Sequence, residues 1–359
     1  MNHTQINVFK KPENPFFNAT MVYLIIMVAF VGVRIFAQFG LLNFLGDFED
    51  LAYSLIIQVG IIFGLTLVLY KMFTGKSVKA IFKEFNFKPI SFKAVLLCIG
   101  ISVCLIIFNT AFNSIYTMIL QLFGYSPASS TITSYPLSMF LVALFASAVL
   151  PAFCEEFANR GMLLNGLKKL GVKKAIVISG LLFALMHLNV GQFGYAFMVG
   201  MFFAFVCIAT GSIVPGIIMH FLNNGIVEYL TFARVNNLPL GNYYEQFATL
   251  GQGDFLSSIF LIFIALFAIM FLFAWFTYLL IKDCQTRKLN KLGNEIYENL
   301  SEADLKPENG MLKINLSPKM LGMETKQTYF PTLKAKIPLY LTICLGTIIT
   351  VMTLIWSAI

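Results

Sequence analysis

Six polar residues that could perform chemistry lie inside three apolar stretches of the chain. They are Glu155, Glu156 and Arg160 in FCEEFANRG, His187 in FALMH, and His220 and Asn224 in HFLNN. Residues four apart share one face of a helix, so Glu156 faces the same way as Arg160, and His220 the same way as Asn224. Charged side chains at membrane depth are costly and usually face a partner, a cavity or a substrate. These residues are therefore the candidates for a functional site.

The chemistry of each side chain suggests a role. A carboxylate among apolar neighbours has its charged form disfavoured, which suits Glu155 to take a proton from water as a general base. Glu156 differs, because Arg160 one turn later keeps it ionised and paired, and the two form a brace that tolerates burial. Histidine supplies either a metal ligand or a hydrogen-bond donor, and the amide of asparagine can donate to a developing oxyanion.

The depth of these residues supports a common location. Glu155 precedes Lys168 by thirteen residues and His187 follows Lys174 by thirteen. Both therefore lie about 20 Å from the lysine-bearing ends of their helices, at 1.5 Å per residue. His220 is nearer, at about 12 Å by the same rule, and helix tilt could close that difference. The spacing predicts a single intramembrane site.

Composition identifies the elements that must hold this site. Of the 359 residues, 58% are hydrophobic and 12% are charged, and the mean hydropathy is +0.80. A soluble globular domain could not bury so much apolar surface, so the chain is predicted to be an integral membrane protein in a lipid bilayer. The net charge of +8 comes from lysine clusters between apolar runs, which indicates membrane topology and no nucleic-acid partner.

A helix needs roughly 20 apolar residues to cross a bilayer core, and this length marks off nine segments. They lie near residues 19–42, 51–70, 94–123, 138–167, 174–190, 193–210, 212–230, 256–281 and 337–359. The sixth and seventh are short and closely connected, so we predict an all-α polytopic bundle of eight to nine transmembrane helices. Six cysteines show no Cys-x-x-Cys spacing, so neither a disulfide framework nor a thiolate metal site is expected.

Lysine distribution predicts the orientation, because short cytoplasmic loops are enriched in basic residues. Residues 71–93 and 168–174 contain ten lysines, whereas residues 46–50 are acidic and residues 124–137 carry no charge. The N-terminus is therefore predicted to be cytoplasmic and the C-terminus to lie outside.

Three regions follow from these patterns. Residues 1–281 are predicted to form the polytopic core, residues 282–336 a cytosolic polar excursion, and residues 337–359 a C-terminal transmembrane helix. The excursion is assigned because charges of both signs, two prolines and the PENG turn interrupt the apolar pattern.

The three motifs together resemble the CPBP intramembrane proteases, which include type II CAAX prenyl endopeptidases and bacteriocin-processing or self-immunity proteins. EEFANR fits Glu-Glu-x-x-x-Arg, FALMH fits Phe-x-x-x-His and HFLNN fits His-x-x-x-Asn, in the family's order. Each motif alone is weak, but all three in order on separate apolar helices are specific. The resemblance covers about residues 138–230, a quarter of the chain.

The resemblance implies an all-helical bundle with an intramembrane polar chamber open to the cytosol, and an endopeptidase that acts on a membrane-associated protein or peptide. It implies that Glu155 activates water with help from His187, and that His220 and Asn224 stabilise the oxyanion. Glu156 and Arg160 are assigned supporting roles. No cofactor is required in this interpretation.

Alternatives remain open from the sequence. A divalent metal such as zinc bound by Glu155, His187 and His220 would make the protein a metalloprotease, although no His-Glu-x-x-His helix is present. A proton-coupled transporter would also need intramembrane carboxylates and histidines, but no repeated halves are found. A non-catalytic scaffold would bind peptides or a partner membrane protein. High lysine and low arginine content, together with the extra helix, favours a bacterial plasma membrane.

Overall fold

The computed structural model describes residues 14–40, 42–127, 132–243, 255–298, 305–308, 311–314 and 331–358. Ten helices are named here in chain order. They are α1 (Pro15–Gln38), α2 (Glu49–Thr74), α3 (Val78–Glu84), α4 (Phe92–Gln121), α5 (Leu137–Leu170), α6 (Val172–Met186), α7 (Val190–Thr210), α8 (Val214–Val235), α9 (Phe255–Glu298) and α10 (Leu333–Ala358). A 3₁₀ turn, Asn43–Phe48, precedes α2.

Local sequence signals set several helix ends. The Asn14 side chain accepts a hydrogen bond from Phe17 N at 3.0 Å, and Pro15 occupies the first turn, where its missing N–H is not needed. Ser91 caps α4 in the same way through Ala94 N at 2.9 Å. Gly211 ends α7 with φ +70°, a conformation that glycine adopts without strain.

The prediction of an all-α polytopic membrane bundle is confirmed. Each of the nine predicted segments coincides with a helix, and seven helices within the described part are long and apolar enough to cross a membrane. The count of eight to nine is not confirmed by that measure. Helix α6 has 15 residues, or about 22 Å, and α8 carries polar residues along its length.

Two large hydrophobic clusters and a small one at Phe183, Ala184 and Ala196 form the core among the described residues. The largest joins α1, α2, α5, α6 and α10, with Tyr23 and Phe157 among its fully buried aromatic residues. The second large cluster joins α4, α7, α8 and α9 around Ile101 and Phe203. Helices α6 and α7 pack against each other and connect the two large clusters.

The lysine-rich connections meet at one end of the bundle. Ser212 Oγ, just before α8, donates to Lys88 O at 2.6 Å, and Ser91 Oγ donates to Asp283 of α9 at 2.6 Å. At the opposite end, Val190 N donates to Thr353 Oγ1 of α10 at 3.0 Å. Helix α1 begins against Gly166, near the lysine-rich end, so the first and last helices place their outer termini at opposite ends.

The region 282–336 contains two elements that the sequence did not predict. Helix α9 continues to Glu298, and the strands β1 (Leu305–Glu308) and β2 (Met311–Ile314) pair antiparallel, with Leu305 opposite Ile314. Residues 299–304, 309–310 and 315–330 of that region, like residues 1–13, lie outside the described residues, and residues 333–336 already belong to α10. The cytosolic location of 282–336 stays a prediction.

Candidate functional site

Helix α5 carries the two glutamates between two stretches of wider winding. Phe145–Val149 and Phe157–Leu163 are π-helical, whereas Leu150–Glu156 between them is α-helical. Each π-helical stretch rotates the face that the following turn presents, and such stretches are frequent at functional sites. The glutamates therefore lie where the helix geometry changes.

Glu156 lies at the centre of a buried ionic cluster. Its Oε1 is 2.9 Å from Arg160 Nη1 and accepts a hydrogen bond from His220 Nδ1 at 3.0 Å. The side chains of Glu156 and Arg160 are fully buried. The guanidinium also donates to Gly200 O at 3.2 Å and lies 4.3 Å from the centroid of the Phe183 ring. The supporting role of the pair stays a prediction.

Glu155, the adjacent carboxylate, has a different environment. Its Oε1 accepts a hydrogen bond from Gln58 Nε2 of α2 at 2.9 Å. Its Oε2 is buried, has no hydrogen-bond partner, and lies 4.0 Å from His220 Nε2. Because buried carboxylate oxygens normally accept hydrogen bonds, Oε2 has an unused acceptor, as does Oε2 of Glu156, but of the two glutamates it is Glu155 that lines a cavity.

His187 ends α6 and faces the same region. Its Nδ1 donates to Phe183 O at 2.9 Å, because a carbonyl can only accept, and this leaves Nε2 as the acceptor of the neutral ring. Arg34 Nη1 donates to His187 O at 3.0 Å and holds the backbone at this helix end. The Phe183 ring lies between the two imidazoles, 5.0 Å from that of His187 and 5.8 Å from that of His220.

Asn224 belongs to a chain of amides that connects α8 with α4 and α5. Its Nδ2 donates to Ser147 O at 2.9 Å, and its Oδ1 accepts from Asn223 Nδ2 at 3.1 Å. Asn109 of α4 donates to Asn223 Oδ1 at 3.1 Å, an interhelical bond of the kind common in membrane bundles. One N–H of Asn224 remains for a further acceptor.

Two adjoining cavities are lined by Glu155, His187 and Asn224, whereas His220 lines neither of them. The first, of about 430 Å³, is lined by Glu155, Gln58 and Asp50 among others; the second, of about 380 Å³, is lined by Asn224 and Glu228 among others. Both are lined by Ser147, His187 and Gln192. We call the two together the polar chamber.

The chamber extends from Glu155 toward the end of the bundle opposite the lysine-rich connections. On α2 its lining residues run from Ile62 to Asp50, next to the helix start, and on α8 they run from Asn223, near the middle of the helix, to Glu228. The predictions that the chamber opens to the cytosol and that the lysine-rich loops are cytosolic therefore cannot both hold.

Only some of the predicted site residues contact one another. His220 contacts both glutamates, whereas His187 and Asn224 line the chamber without contacting Glu155 through a hydrogen bond or ion pair among the described residues. No group of three or more His, Cys, Asp or Glu that could hold a metal is found within the described ranges, so the metalloprotease alternative gains no support.

Sequence reasoning missed Gln58 and Tyr23, which hold the site, whereas Asn159 is visible in the sequence from its spacing of four from Glu155. Gln58 fixes Glu155, while Tyr23 OH donates to Asn159 Oδ1 at 2.9 Å and Asn159 Nδ2 donates to Glu155 O at 2.9 Å. Gln58 is the one amide in the apolar run LIIQVGIIFG, a signal that could have identified it.

Comparison with protein families agrees with this geometry. A family model described as type II CAAX prenyl endopeptidase Rce1-like matches residues 137–226. Residues 137–226 form an Rce1-like domain. The match confirms the predicted family resemblance and supports a protease at the level of the family. The domain covers α5 to most of α8, and it contains all six predicted site residues. No curated protein and no solved structure gives a significant match to the chain.

Proposed function

We propose that this protein is an intramembrane endopeptidase that hydrolyses a peptide bond of a membrane-associated protein or peptide with water activated by Glu155. The observation that carries the proposal is the unpartnered, buried Oε2 of Glu155 beside His220 in a polar chamber. A general base must have a free acceptor within reach of the proton that it removes. The Rce1-like domain supports the same reaction class.

In the first step, Glu155 Oε2 takes a proton from water, and the water oxygen attacks the carbonyl carbon of the substrate. The resulting tetrahedral intermediate carries a negative charge on the former carbonyl oxygen. His187 Nε2, the free acceptor of its ring, can accept the second hydrogen of the water and orient it. The carbon–nitrogen bond then breaks as Glu155 returns its proton to the leaving amine, which regenerates the carboxylate.

His220 and Asn224 are suited to stabilise the oxyanion. When His220 carries a proton on each ring nitrogen, its positive charge balances the one net negative charge of Glu155, Glu156 and Arg160. His220 Nε2 is then a donor that faces the side of Glu155, while its Nδ1 remains bound to Glu156. Each preorganised donor of this kind raises kcat by roughly 10²–10³-fold.

The test is proteolysis in liposomes with Glu155→Gln, which keeps the shape of the side chain and removes the base. A defined library of membrane-anchored peptides is incubated with wild type, with this variant and with Glu49→Gln, a control outside the chamber lining. We expect wild type and Glu49→Gln to cleave the peptides and a chelator to have no effect. The cleavage rate of Glu155→Gln should be lower by at least about 10³-fold. Cleavage by the folded Glu155→Gln variant would overturn the proposal.

A cellular readout separates the alternatives. If the protein acts as a scaffold or a transporter that does not need this base, cells with Glu155→Gln keep the wild-type phenotype although the protein is present at normal levels. Loss of the phenotype together with loss of cleavage supports the peptidase.

A further inference from the structure

The two ends of the bundle differ sharply in charge. The connections at one end contain ten lysines, at positions 71, 76, 79, 83, 88, 93, 168, 169, 173 and 174. The sequences of the opposite connections, residues 39–48, 122–136, 187–189 and 236–243, contain neither lysine nor arginine. Short loops rich in lysine remain on the cytoplasmic side during membrane insertion.

The other long helices extend this asymmetry. Asp283 of α9 bonds to Ser91 at the lysine-rich end, and Lys282 and Arg287 lie on the same stretch of α9. Helix α10 has Lys334 and Lys336 in its first turns, and its other end, at Thr353, bonds to Val190 near His187. Basic residues of both helices therefore lie toward the end that already carries the lysines.

The polar chamber lies toward the other end. Glu155 is eighteen residues from the start of α5 and fifteen from its end, so it lies near the middle of the helix. The remaining lining residues of the first cavity on α5, Ala143, Ala146 and Ser147, all precede Glu155 and approach the end without lysines. Asp50, one residue into α2, lines the same cavity and is exposed.

From this geometry we propose that the chamber opens on the extracytoplasmic side of the membrane, where it would receive exported peptides or outward-facing segments of membrane proteins. The substrate class rests on the proposed peptidase function, whereas the side of the opening does not. The proposal keeps the lysine-rich loops in the cytosol and replaces the expectation of a chamber open to the cytosol.

Cysteine labelling with a membrane-impermeant maleimide tests the side directly. Single variants place a thiol in the chamber (Asp50→Cys or Asn113→Cys) or in a lysine-rich connection (Lys169→Cys). The unsubstituted chain is the control, because five of its cysteines are buried and Cys344 lies within the apolar helix α10. Right-side-out and inside-out vesicles are labelled in parallel, and the labelled protein is checked for monodispersity.

We expect the two chamber cysteines to react in right-side-out vesicles and the Lys169→Cys thiol to react in inside-out vesicles. Chamber cysteines that react only in inside-out vesicles, or on the same side as Lys169→Cys, would overturn the proposal. Labelling needs no catalysis, so this result stands apart from the outcome of the proteolysis assay.

A second, independent observation concerns Glu228 in the second cavity. Its two carboxylate oxygens accept hydrogen bonds from Tyr135 OH and from Ser147 Oγ, the latter at 3.0 Å. Burial and the neighbouring carboxylate raise the pKa of Tyr135 above its usual value, so its hydroxyl stays protonated as a donor. None of the described residues that line this cavity is a lysine or an arginine.

An acidic group without a cationic neighbour in a membrane-embedded cavity favours a cation. The rest of the lining suits a peptide backbone, since the side-chain amides of Asn109, Asn113, Gln192 and Asn224 offer both donors and acceptors. The geometry points to Glu228 as a specificity residue that binds a lysine or arginine side chain of the substrate. This second proposal also rests on the proposed function.

Binding to an inactive protein tests the proposal without turnover. Glu155→Gln is titrated with two alanine-based peptides, one with a central lysine and one with norleucine, which has a similar chain and no charge. We expect the lysine peptide to bind about tenfold more tightly, and the preference to disappear when Glu228→Gln is added. With Glu49→Gln added instead, the preference stays. Equal binding of both peptides, or a preference that survives Glu228→Gln, would overturn the assignment.

Discussion

At the scale of single residues, the adjacent glutamates show how packing divides two identical side chains between two roles. Each glutamate has an Oε2 without a hydrogen-bond partner, but Glu156 Oε1 is held by a guanidinium and an imidazole, whereas Glu155 Oε1 is held by a neutral amide and its side chain lines the chamber. A carboxylate paired with Arg160 is a poor proton acceptor, because a proton on it would break the ion pair. The free oxygen of Glu155 is therefore the better base.

Gln58 should position Glu155 for catalysis. Gln58→Leu preserves the side-chain volume but removes the donor to Oε1, so the carboxylate can rotate away from the chamber. We expect kcat to fall about tenfold to hundredfold with little change in KM, because misplacement of a catalytic group affects mainly the chemical step. Thr66→Val, a buried polar change on the same helix away from the chamber, is the matched control. An unchanged kcat in Gln58→Leu would contradict this role.

The sequence identified the residues of the site that share a helix face but not the residues that reach it from elsewhere. Spacings of four residues made Glu156 and Arg160 visible as a pair. Gln58 contacts Glu155 across 97 positions, and this pairing depends on how α2 packs against α5. No local pattern contains that information.

At the scale of the element, the stability of α5 depends on the pairing of its buried charges. Arg160→Met removes the cation from the fully buried Glu156 carboxylate and leaves it with His220 alone. Removal of one partner from a buried ion pair typically costs about 3–5 kcal/mol. We expect a clear drop in the thermal unfolding midpoint in detergent, and partial recovery when Glu156→Gln is added. An Arg160→Met variant as stable as wild type would show that the ion pair does not stabilise the helix.

The course of α5 also marks a limit of prediction from sequence. Apolar content and length predicted a span at 138–167, close to the observed Leu137–Leu170. The π-helical stretches on either side of the glutamates were not predicted, because hydrophobic periodicity does not distinguish an α turn from a π turn. These stretches set the direction of the glutamates, so the site geometry required the structure.

At the scale of the whole molecule, each of the nine predicted segments coincides with a helix, and seven helices of the described part are long and apolar enough to span a membrane, because helix length in a membrane follows from bilayer thickness. The position of the chamber was not predictable in the same way. Depth along each helix was estimated from the lysine ends, but which faces enclose a cavity depends on contacts between helices that are distant in sequence. The β1–β2 hairpin likewise lies in a region without a periodic signal.

The two large core clusters should depend on close packing of α6 against α7. A Cβ atom at Gly180 would lie 2.8 Å from Met201 N, and one at Gly200 would lie 3.0 Å from Gly180 Cα, so both positions require glycine for this approach. Gly180→Val would push α7 away, weaken the bond from Arg160 to Gly200 O, and cost about 1–3 kcal/mol. The measurement is thermal unfolding in detergent together with the proteolysis rate.

Gly60→Val provides the matched control, because a Cβ atom there meets nothing within 4 Å. Gly60→Val should unfold at nearly the wild-type temperature, while Gly180→Val should unfold earlier and cleave more slowly even below its unfolding transition. If Gly180→Val lost stability but kept the full rate at low temperature, the α6–α7 contact would hold the bundle together without positioning Arg160, and the site would depend on α5 and α8 alone.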